Sequence, residues 1–330
     1  MTRVAINGFG RIGRMVFRVG LERKGIEFVA INDLTSPENL AYLLKYDSSH
    51  GTFSREIKAG KDFISIDGKK IKVLQERNPE TLPWKELDVD AVVESTGIFR
   101  TKEGMEKHLN AGAKKVLLSA PAKDDSVKTI VMGVNDNEIS DNERLLSNAS
   151  CTTNCLAPIV KVLQDAFGIE KGFMTTIHAY TADQMLQDAP HKDFRRGRSA
   201  AVNIVPTSTG AATAVTKVIP ELKGRLDGMA VRVPVKDGSL TDFVATLETQ
   251  ASQEELKKVF LKASRGKMKG ILDFSEEELV SSDIINHPAS SIIDWKSCKV
   301  NGKLVKVISW YDNEFGYSNR MIDIIEKWLR

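Results

Sequence analysis

The sequence predicts an α/β fold: a doubly wound parallel sheet followed by an α+β domain with a mainly antiparallel sheet. Three observations carry this. Short, continuously apolar runs alternate with helical stretches through the first half. A G-x-G-x-x-G lies between the first such run and the first helical stretch. After Cys151 the pattern changes to longer, β-branched and partly alternating runs.

The first-half runs are Val4–Ile6, Phe28–Ile31, Ala91–Val93, Val116–Leu118 and Ile130–Met132. Short and apolar throughout, they read as parallel strands covered on both faces. Ile12 to Glu22 reads as the first helix. In the second half, Gly172 to Thr181, Met229 to Val235, Asp242 to Thr249 and Lys306 to Asn313 read as strands. Gln253 to Ser264 carries Leu256, Val259, Phe260 and Ala263 at helical spacing. Ser318 to Arg330, with Met321, Ile324, Ile325 and Trp328, reads as a closing helix that returns to the first domain. The expected division is 1–150 with 315–330 as a dinucleotide-binding domain of Rossmann type, and 151–314 as a catalytic domain.

Composition narrows function. The chain has 330 residues, 42% hydrophobic and 28% charged, with a net charge of +3. That balance argues against a nucleic-acid protein held by a broad basic field. His191, Lys192, Arg195, Arg196 and Arg198 do cluster, and a small anionic ligand is the preferred reading over a solvated loop. No apolar run approaches the about 20 residues that span a bilayer, and no signal-peptide pattern is visible, so a cytoplasmic protein away from membranes is expected. The three cysteines, Cys151, Cys155 and Cys298, do not suggest a disulfide framework. No Cys/His set has metal-ligand spacing, so no metal is expected.

Gly8-Phe9-Gly10-Arg11-Ile12-Gly13 follows a β run and opens a helix. Glycines there permit a tight turn and close backbone approach to a pyrophosphate, with the helix start offering N–H groups and its positive dipole end. An ordinary tight turn is the bland alternative. The second β run ends in Asn32-Asp33. An acidic side chain there accepts from adenosine ribose hydroxyls and repels the extra phosphate of NADP, so NAD is expected.

Ser147-Asn148-Ala149-Ser150-Cys151-Thr152-Thr153-Asn154-Cys155 precedes an apolar helical pattern, placing Cys151 at a helix N-terminus. Free N–H groups and the dipole there favour a thiolate and can hold an anionic tetrahedral intermediate. Cys155, one turn on, reads as apolar filler. Cys298 has no partner motif. His178 ends the apolar run Phe173–Ile177; a lone strand histidine is more often structural, but a cysteine nucleophile needs an imidazole.

Five segments together resemble one family. They are Ala5 to Arg14, Ser147 to Pro158, His178-Ala179-Tyr180-Thr181, Pro206 to Ala212 and Trp310-Tyr311-Asp312-Asn313-Glu314. They are similar to the corresponding motifs of glyceraldehyde-3-phosphate dehydrogenase, and they run the length of the chain. The resemblance implies NAD-dependent oxidation and phosphorylation of glyceraldehyde 3-phosphate to 1,3-bisphosphoglycerate, with Cys151 as nucleophile and His178 as base. It implies that Arg11 and Ile12 lie on the pyrophosphate and Asp33 on the ribose. Arg77 and Ser119 would also line the cofactor, and Asn313 would hold the nicotinamide carboxamide. Thr181 and Arg232 are implied for the substrate phosphate. Ser150, Thr152, Thr209 and Gly210, with Arg198 nearby, are implied for inorganic phosphate. A homotetramer is implied, with a loop from about Thr181 to Asn203 packing beside a neighbour's cofactor. The residues depart from the family at Val235-Lys236, which follow Val233-Pro234 where Thr then Pro or Asn is common. They depart again at Ala189, where strictly NAD-preferring bacterial members often carry Leu, which leaves dual cofactor use open. The alternatives are an erythrose-4-phosphate dehydrogenase of the same architecture and a non-enzymatic NAD-binding redox sensor. Aspartate-semialdehyde dehydrogenase shares the logic but lacks the Cys-Thr-Thr-Asn-Cys run.

Overall fold

A computed structural model describes residues 1–330. The chain forms two compact units: Met1–Ile130, Asp136–Ala149 and Ser318–Arg330 make the first, and Val131–Asn135 with Ser150–Tyr317 the second.

The first unit begins with β1 (Thr2–Asn7), α1 (Arg11–Leu21), β2 (Ile26–Asn32), α2 (Pro37–Lys45), β3 (Ile57–Ala59), β4 (Phe63–Ile66) and β5 (Lys69–Leu74). It continues with β6 (Ala91–Glu94), α3 (Lys102–Asn110), β7 (Lys115–Leu118), β8 (Lys128–Thr129) and β9 (Leu145–Ser147). These strands make one nine-stranded sheet in the order β3-β4-β5-β2-β1-β6-β7-β9-β8. From β5 to β8 every pairing is parallel; only β3–β4 and β4–β5 are antiparallel. The strand order turns back between β1 and β6, and a doubly wound sheet binds its ligand at the carboxyl ends of such strands. Ala5, Ala30, Val92, Val116 and Leu118 of the sheet pack with Trp84 and Met105 in one buried cluster.

Two glycines of the first turn are demanded by the fold itself. Gly8 has φ of +91°, and a Cβ there would sit 2.7 Å from the Thr96 nitrogen. At Gly13 a Cβ would meet the Gly8 carbonyl oxygen at 2.1 Å, so α1 can leave β1 this closely only with glycine at both places.

One expected strand is absent. Ile130–Met132 does not extend the sheet; β8 is confined to Lys128–Thr129. The Ile130 N–H still reaches the Ser147 carbonyl (2.8 Å), but the Val131 N–H donates to the Asn135 side chain (2.9 Å) and the chain turns. An apolar run is strand-like in composition, yet a side-chain acceptor four residues on competes for the backbone. The β3–β4–β5 meander, rich in lysine at the sheet's edge, carries no sequence expectation.

The second unit comprises α4 (Cys151–Phe167), β10 (Ile169–Ala179), β11 (Val205–Ser208), α5 (Ala211–Val218), β12 (Leu226–Val233), β13 (Ser239–Leu247) and α6 (Gln253–Arg265). It ends with β14 (Leu272–Ser275), β15 (Ser291–Asp294), β16 (Lys299–Asn301), β17 (Leu304–Tyr311) and the start of α7 (Phe315–Trp328), whose residues from Ser318 belong to the first unit. The sheet order is β11-β12-β10-β13-β17-β15-β14, with β16 beside β17. Pairing is antiparallel except at β10–β12 and β14–β15. The buried face of α4 (Cys155, Leu156, Ile159, Val160, Leu163) reflects a 3.6-residue apolar period. In α6, Ser252 and Glu255 form a reciprocal capping box.

Candidate active site

In the second unit the start of α4 meets the end of β10. Ser150 caps α4, its hydroxyl accepting the Thr153 N–H (3.1 Å), and Cys151 is the first helical residue. The Cys151 sulfur lies 3.5 Å from His178 Nε2, although 27 residues separate the two in sequence. β10 delivers the imidazole: an eleven-residue strand that runs back from the end of α4. Parallel register then sets Arg232 of β12 beside His178.

The imidazole is contested from its other side. His178 Nδ1 is 2.7 Å from the Ala179 carbonyl oxygen, and the Arg232 guanidinium crowds the same nitrogen while also donating to that carbonyl (3.1 Å). A nitrogen that donates to a carbonyl cannot accept from a guanidinium. We assign the Nδ1 proton to the Ala179 carbonyl bond, because its length is normal for such a bond. Nε2 then presents its lone pair to sulfur.

Burial, seconded by the charge of Arg232, pushes His178 down to about 3, against the Ala179 hydrogen bond that raises it. Burial likewise pushes the Cys151 thiol up, outweighing Arg232, the Thr152 hydroxyl and the N–H groups of Thr152 and Cys151, which lower it. The helix-start N–H groups act in the expected direction, towards the thiolate, and burial acts against them. Burial thus opposes ionisation of both partners, and Cys151 keeps part of its surface open.

Tyr311 has no expected role, yet it ties this centre together. It is buried, and its hydroxyl lies 2.8 Å from Thr152 Oγ1 and 2.9 Å from Thr176 Oγ1. Its ring stands edge-on to His178 with centroids 5.9 Å apart. Burial and the two neighbouring cysteines hold it well above the usual phenol range. Its only sequence signal is its place in the Trp310–Glu314 motif.

The remaining expected residues of this unit divide. Thr153 donates to the Ala211 carbonyl (3.5 Å), which brings the Thr209-Gly210 start of α5 to the α4 N-terminus beside Ser150 and Thr152. Thr181 donates its N–H to Gln184 (3.3 Å). Asn313 is held by the Ser239 hydroxyl, which donates to its side-chain oxygen (2.7 Å). Arg198 is exposed and bonded to Asp188 (2.7 Å), while Arg196 pairs with Asp183 and Asp193. Three members of the basic cluster, His191, Arg196 and Arg198, thus lie against aspartates. Cys155 is fully buried, but its sulfur sits among the hydroxyls of Thr241, Ser291 and Ser309 rather than in purely apolar surroundings. Cys298, in a polar stretch of sequence, is also fully buried, against the Asp294 carbonyl (3.2 Å).

In the first unit a cavity of about 450 Å³ opens at the carboxyl ends of β1, β2 and β6, lined among others by Gly8, Gly10, Asp33, Arg77 and Thr96. Asp33 is fixed by the Phe9 N–H (2.8 Å) and the Thr35 N–H (3.1 Å), each on a different oxygen, leaving lone pairs for hydroxyl donors. At Gly10, which caps α1 without any side-chain acceptor, a Cβ would meet nothing within 4 Å. The fold does not itself require glycine there, and the open space suits close approach of a pyrophosphate to the helix start. The residues fit a dinucleotide. Ile12 is half-buried in the first turn of α1, and Ser119 follows β7, its N–H on the Glu94 carbonyl (2.9 Å). The Arg11 guanidinium bonds Asp47 through contacts of 2.9 and 3.2 Å, and its backbone opens α1.

Two family models match. Residues 2–102 match "Glyceraldehyde 3-phosphate dehydrogenase, NAD binding domain". Residues 150–313 match "Glyceraldehyde 3-phosphate dehydrogenase, C-terminal domain". Glyceraldehyde-3-phosphate dehydrogenase 1 of Bacillus cereus is 55% identical over 326 residues, covering 98% of this chain and 97% of its own. The Streptomyces coelicolor glyceraldehyde-3-phosphate dehydrogenase is 56% identical over 326 residues, covering 98% and 97%. That of Borreliella burgdorferi is 52% identical over 337 residues, covering 99% and 100%. The chain belongs to the glyceraldehyde-3-phosphate dehydrogenase family.

Proposed function

We propose that the chain oxidises glyceraldehyde 3-phosphate with NAD and phosphorylates the product, through a thioester on Cys151. The observation that carries this is the 3.5 Å approach of the Cys151 sulfur to His178 Nε2 at a helix start. Residues 1–150 and 315–330 would hold the cofactor and 151–314 perform the chemistry.

His178 Nε2 takes the thiol proton as sulfur attacks the aldehyde carbon, forming the C–S bond and moving the carbonyl electron pair to oxygen. The same proton neutralises that oxygen, giving a thiohemiacetal. His178 removes it again as the carbon gives up a hydride, and a thioester results. NAD, when bound, supplies the hydride acceptor. Inorganic phosphate then attacks the thioester carbonyl, the C–S bond breaks, and 1,3-bisphosphoglycerate leaves. N–H groups at the α4 start stabilise the tetrahedral oxyanion.

Arg232 and Thr181 are proposed for the substrate phosphate, and Ser150, Thr152, Thr209, Gly210 and Arg198 for inorganic phosphate. An arginine's planar donor set suits either anion. For the cofactor, Arg11 and Ile12 would act through the helix start, Asp33 on the ribose, Arg77 and Ser119 on the cavity wall. Asn313 is proposed for the carboxamide; the Ser239 bond to its oxygen leaves its amide N–H groups as the donors it can offer. A homotetramer is proposed on the exposure of Leu186, Phe194, Val202 and Ile204, between 69% and 89%, on the loop that the family packs against a neighbour. No helix is long and apolar enough to cross a membrane, and a cytoplasmic location is proposed.

The test is NADH formation from glyceraldehyde 3-phosphate with and without inorganic phosphate. Sustained, phosphate-dependent turnover supports the reading. Turnover on erythrose 4-phosphate alone, or none on either aldehyde, overturns it.

A further inference from the structure

Beneath the cavity of the first unit lies a polar cluster that the chemistry at Cys151 does not use. Glu94 at the end of β6 and His108 in α3 are fully buried, and Asn7 and Asn32 nearly so. One Glu94 oxygen accepts from Asn7 Nδ2 (2.6 Å) and lies 3.0 Å from His108 Nε2. The other accepts the Thr96 N–H (2.9 Å) and the Thr96 hydroxyl. On the far side of the imidazole, Trp84 Nε1 donates to His108 Nδ1 (3.0 Å).

The donor roles follow from chemistry. An indole N–H only donates. His108 Nδ1 therefore carries no proton, and the neutral ring holds its proton on Nε2, aimed at Glu94. Three of the four contacts to the Glu94 carboxyl, from Asn7 Nδ2, His108 Nε2 and the Thr96 N–H, are then fixed donors, and the Thr96 hydroxyl, which itself accepts the Ile98 N–H (3.1 Å), supplies the fourth. A buried carboxylate facing no cation is tolerated only when its lone pairs are met, and here each oxygen has two donors.

The cluster reaches the cavity wall. The Asn7 side-chain oxygen accepts from Asn32 Nδ2 (2.7 Å). Asn32 in turn clasps the Glu76 backbone, donating to its carbonyl (2.8 Å) and accepting its N–H (2.9 Å). Asn7, Asn32, Glu76 and Thr96 all line the cavity, whereas Glu94, His108 and Trp84 lie behind it. One carboxylate thus joins the ends of β1 and β6 directly, and β2 and the segment after β5 through Asn7.

We propose that Glu94, held by the His108–Trp84 pair, is the positioning residue for the adenosine half of NAD, fixing the spacing of the strand ends that form its pocket. This rests on reading the cavity as the NAD site. The expected effect is on cofactor affinity: Glu94, His108 and Trp84 belong to the first unit and Cys151 to the second.

Three variants test it. His108→Leu removes both bonds. His108→Gln retains an oxygen for Trp84 and an N–H for Glu94. Glu94→Gln sets an amide N–H against donors that cannot reverse, since His108 is fixed by Trp84. The measurements are KM for NAD, kcat at saturating NAD, the Kd of ADP-ribose, and the rate of Cys151 alkylation by iodoacetamide without NAD. His108→Leu and Glu94→Gln are expected to raise KM and the ADP-ribose Kd about tenfold, the scale of one buried hydrogen-bonding group left unpaired. Both kcat and alkylation stay as in the parent, and His108→Gln recovers most of the affinity. Unchanged ADP-ribose binding in His108→Leu and Glu94→Gln overturns the proposal. So does a His108→Gln as weak as His108→Leu, or a parallel loss of alkylation. Should His108→Leu fail to fold, Trp84→Phe gives the same sign at about threefold, and an unchanged Kd there overturns the proposal. A parent protein that binds neither NAD nor ADP-ribose refutes the reading of the cavity instead.

Discussion

Two buried polar centres, one in each unit, show opposite ways of using a histidine. Around His108 every donor has an acceptor: Trp84, Glu94, Asn7 and Thr96 form a closed set. Around His178 the groups are set against one another. Its Nδ1 serves the Ala179 carbonyl while the Arg232 guanidinium presses on it, and its Nε2 faces a thiol that burial has made harder to ionise. A closed set holds geometry. A centre with an excess cation awaits an anion: a phosphoryl group that draws Arg232 away would relieve the field that holds His178 down and make it the stronger base. On the function and the positioning role proposed above, the satisfied network is the one that holds and the frustrated one the one that reacts.

The contrast can be broken at several points. The largest effect is expected from Cys151→Ser, which should lower aldehyde oxidation by about 10⁴-fold or more while the Kd of NAD, read by protein fluorescence, stays unchanged. His178→Asn should lower turnover by roughly 10²- to 10⁴-fold, the usual contribution of a positioned base, and shift Cys151 alkylation to higher pH. Arg232→Leu should raise the KM for glyceraldehyde 3-phosphate by about tenfold or more, as loss of a charged hydrogen-bond partner does. It should also lift His178, which otherwise titrates at about 3 partly because of that guanidinium; the imidazole resonance in carbon-13 histidine-labelled protein reports this.

The smallest expected effect lies in the first unit, at the matched pair Asp47–Arg11. Burial opposes the ionised Asp47, but the N–H groups of His50 and Ser49 and the Arg11 guanidinium win and hold it at about 2, against an ordinary 3.8. A depressed carboxyl stabilises the fold above its unfolded value, and the contribution disappears as pH falls from about 4 to about 2. Asp47→Asn should therefore cost about 1–2 kcal/mol at neutral pH, discounted because Arg11 is partly exposed, and nothing below about pH 2. Urea unfolding at the two pH values checks this.

Much of the dinucleotide half was legible because its requirements are local. Gly13 is dictated by contact with Gly8 within one turn and Asp33 is marked by its place at a strand end, while Gly8 is demanded both by its own positive φ and by the backbone of Thr96 from a distant segment. The catalytic half is less so: nothing in the sequence brings Cys151 to His178, which depends on the return of a long strand after a helix. Ile130–Met132 looks like a strand, and only the Asn135 side chain reveals otherwise. Arg11 reads as a residue on the pyrophosphate, and the pairing of its guanidinium with Asp47 is visible only in the fold. Cys298 is hidden by polar neighbours that face away from it. Glu94 and His108 carry no motif at all, and their pairing is visible only once β6 and α3 are set side by side.

The central claim is that oxidation leaves the acyl group on Cys151. Intact-mass and peptide analysis of protein mixed with NAD and glyceraldehyde 3-phosphate, in the absence of inorganic phosphate, tests it directly. A 3-phosphoglyceroyl adduct on the Cys151 peptide, formed with one burst of NADH and discharged on adding phosphate, is the expected result. NADH production that continues without phosphate and leaves the Cys151 peptide unmodified would contradict it.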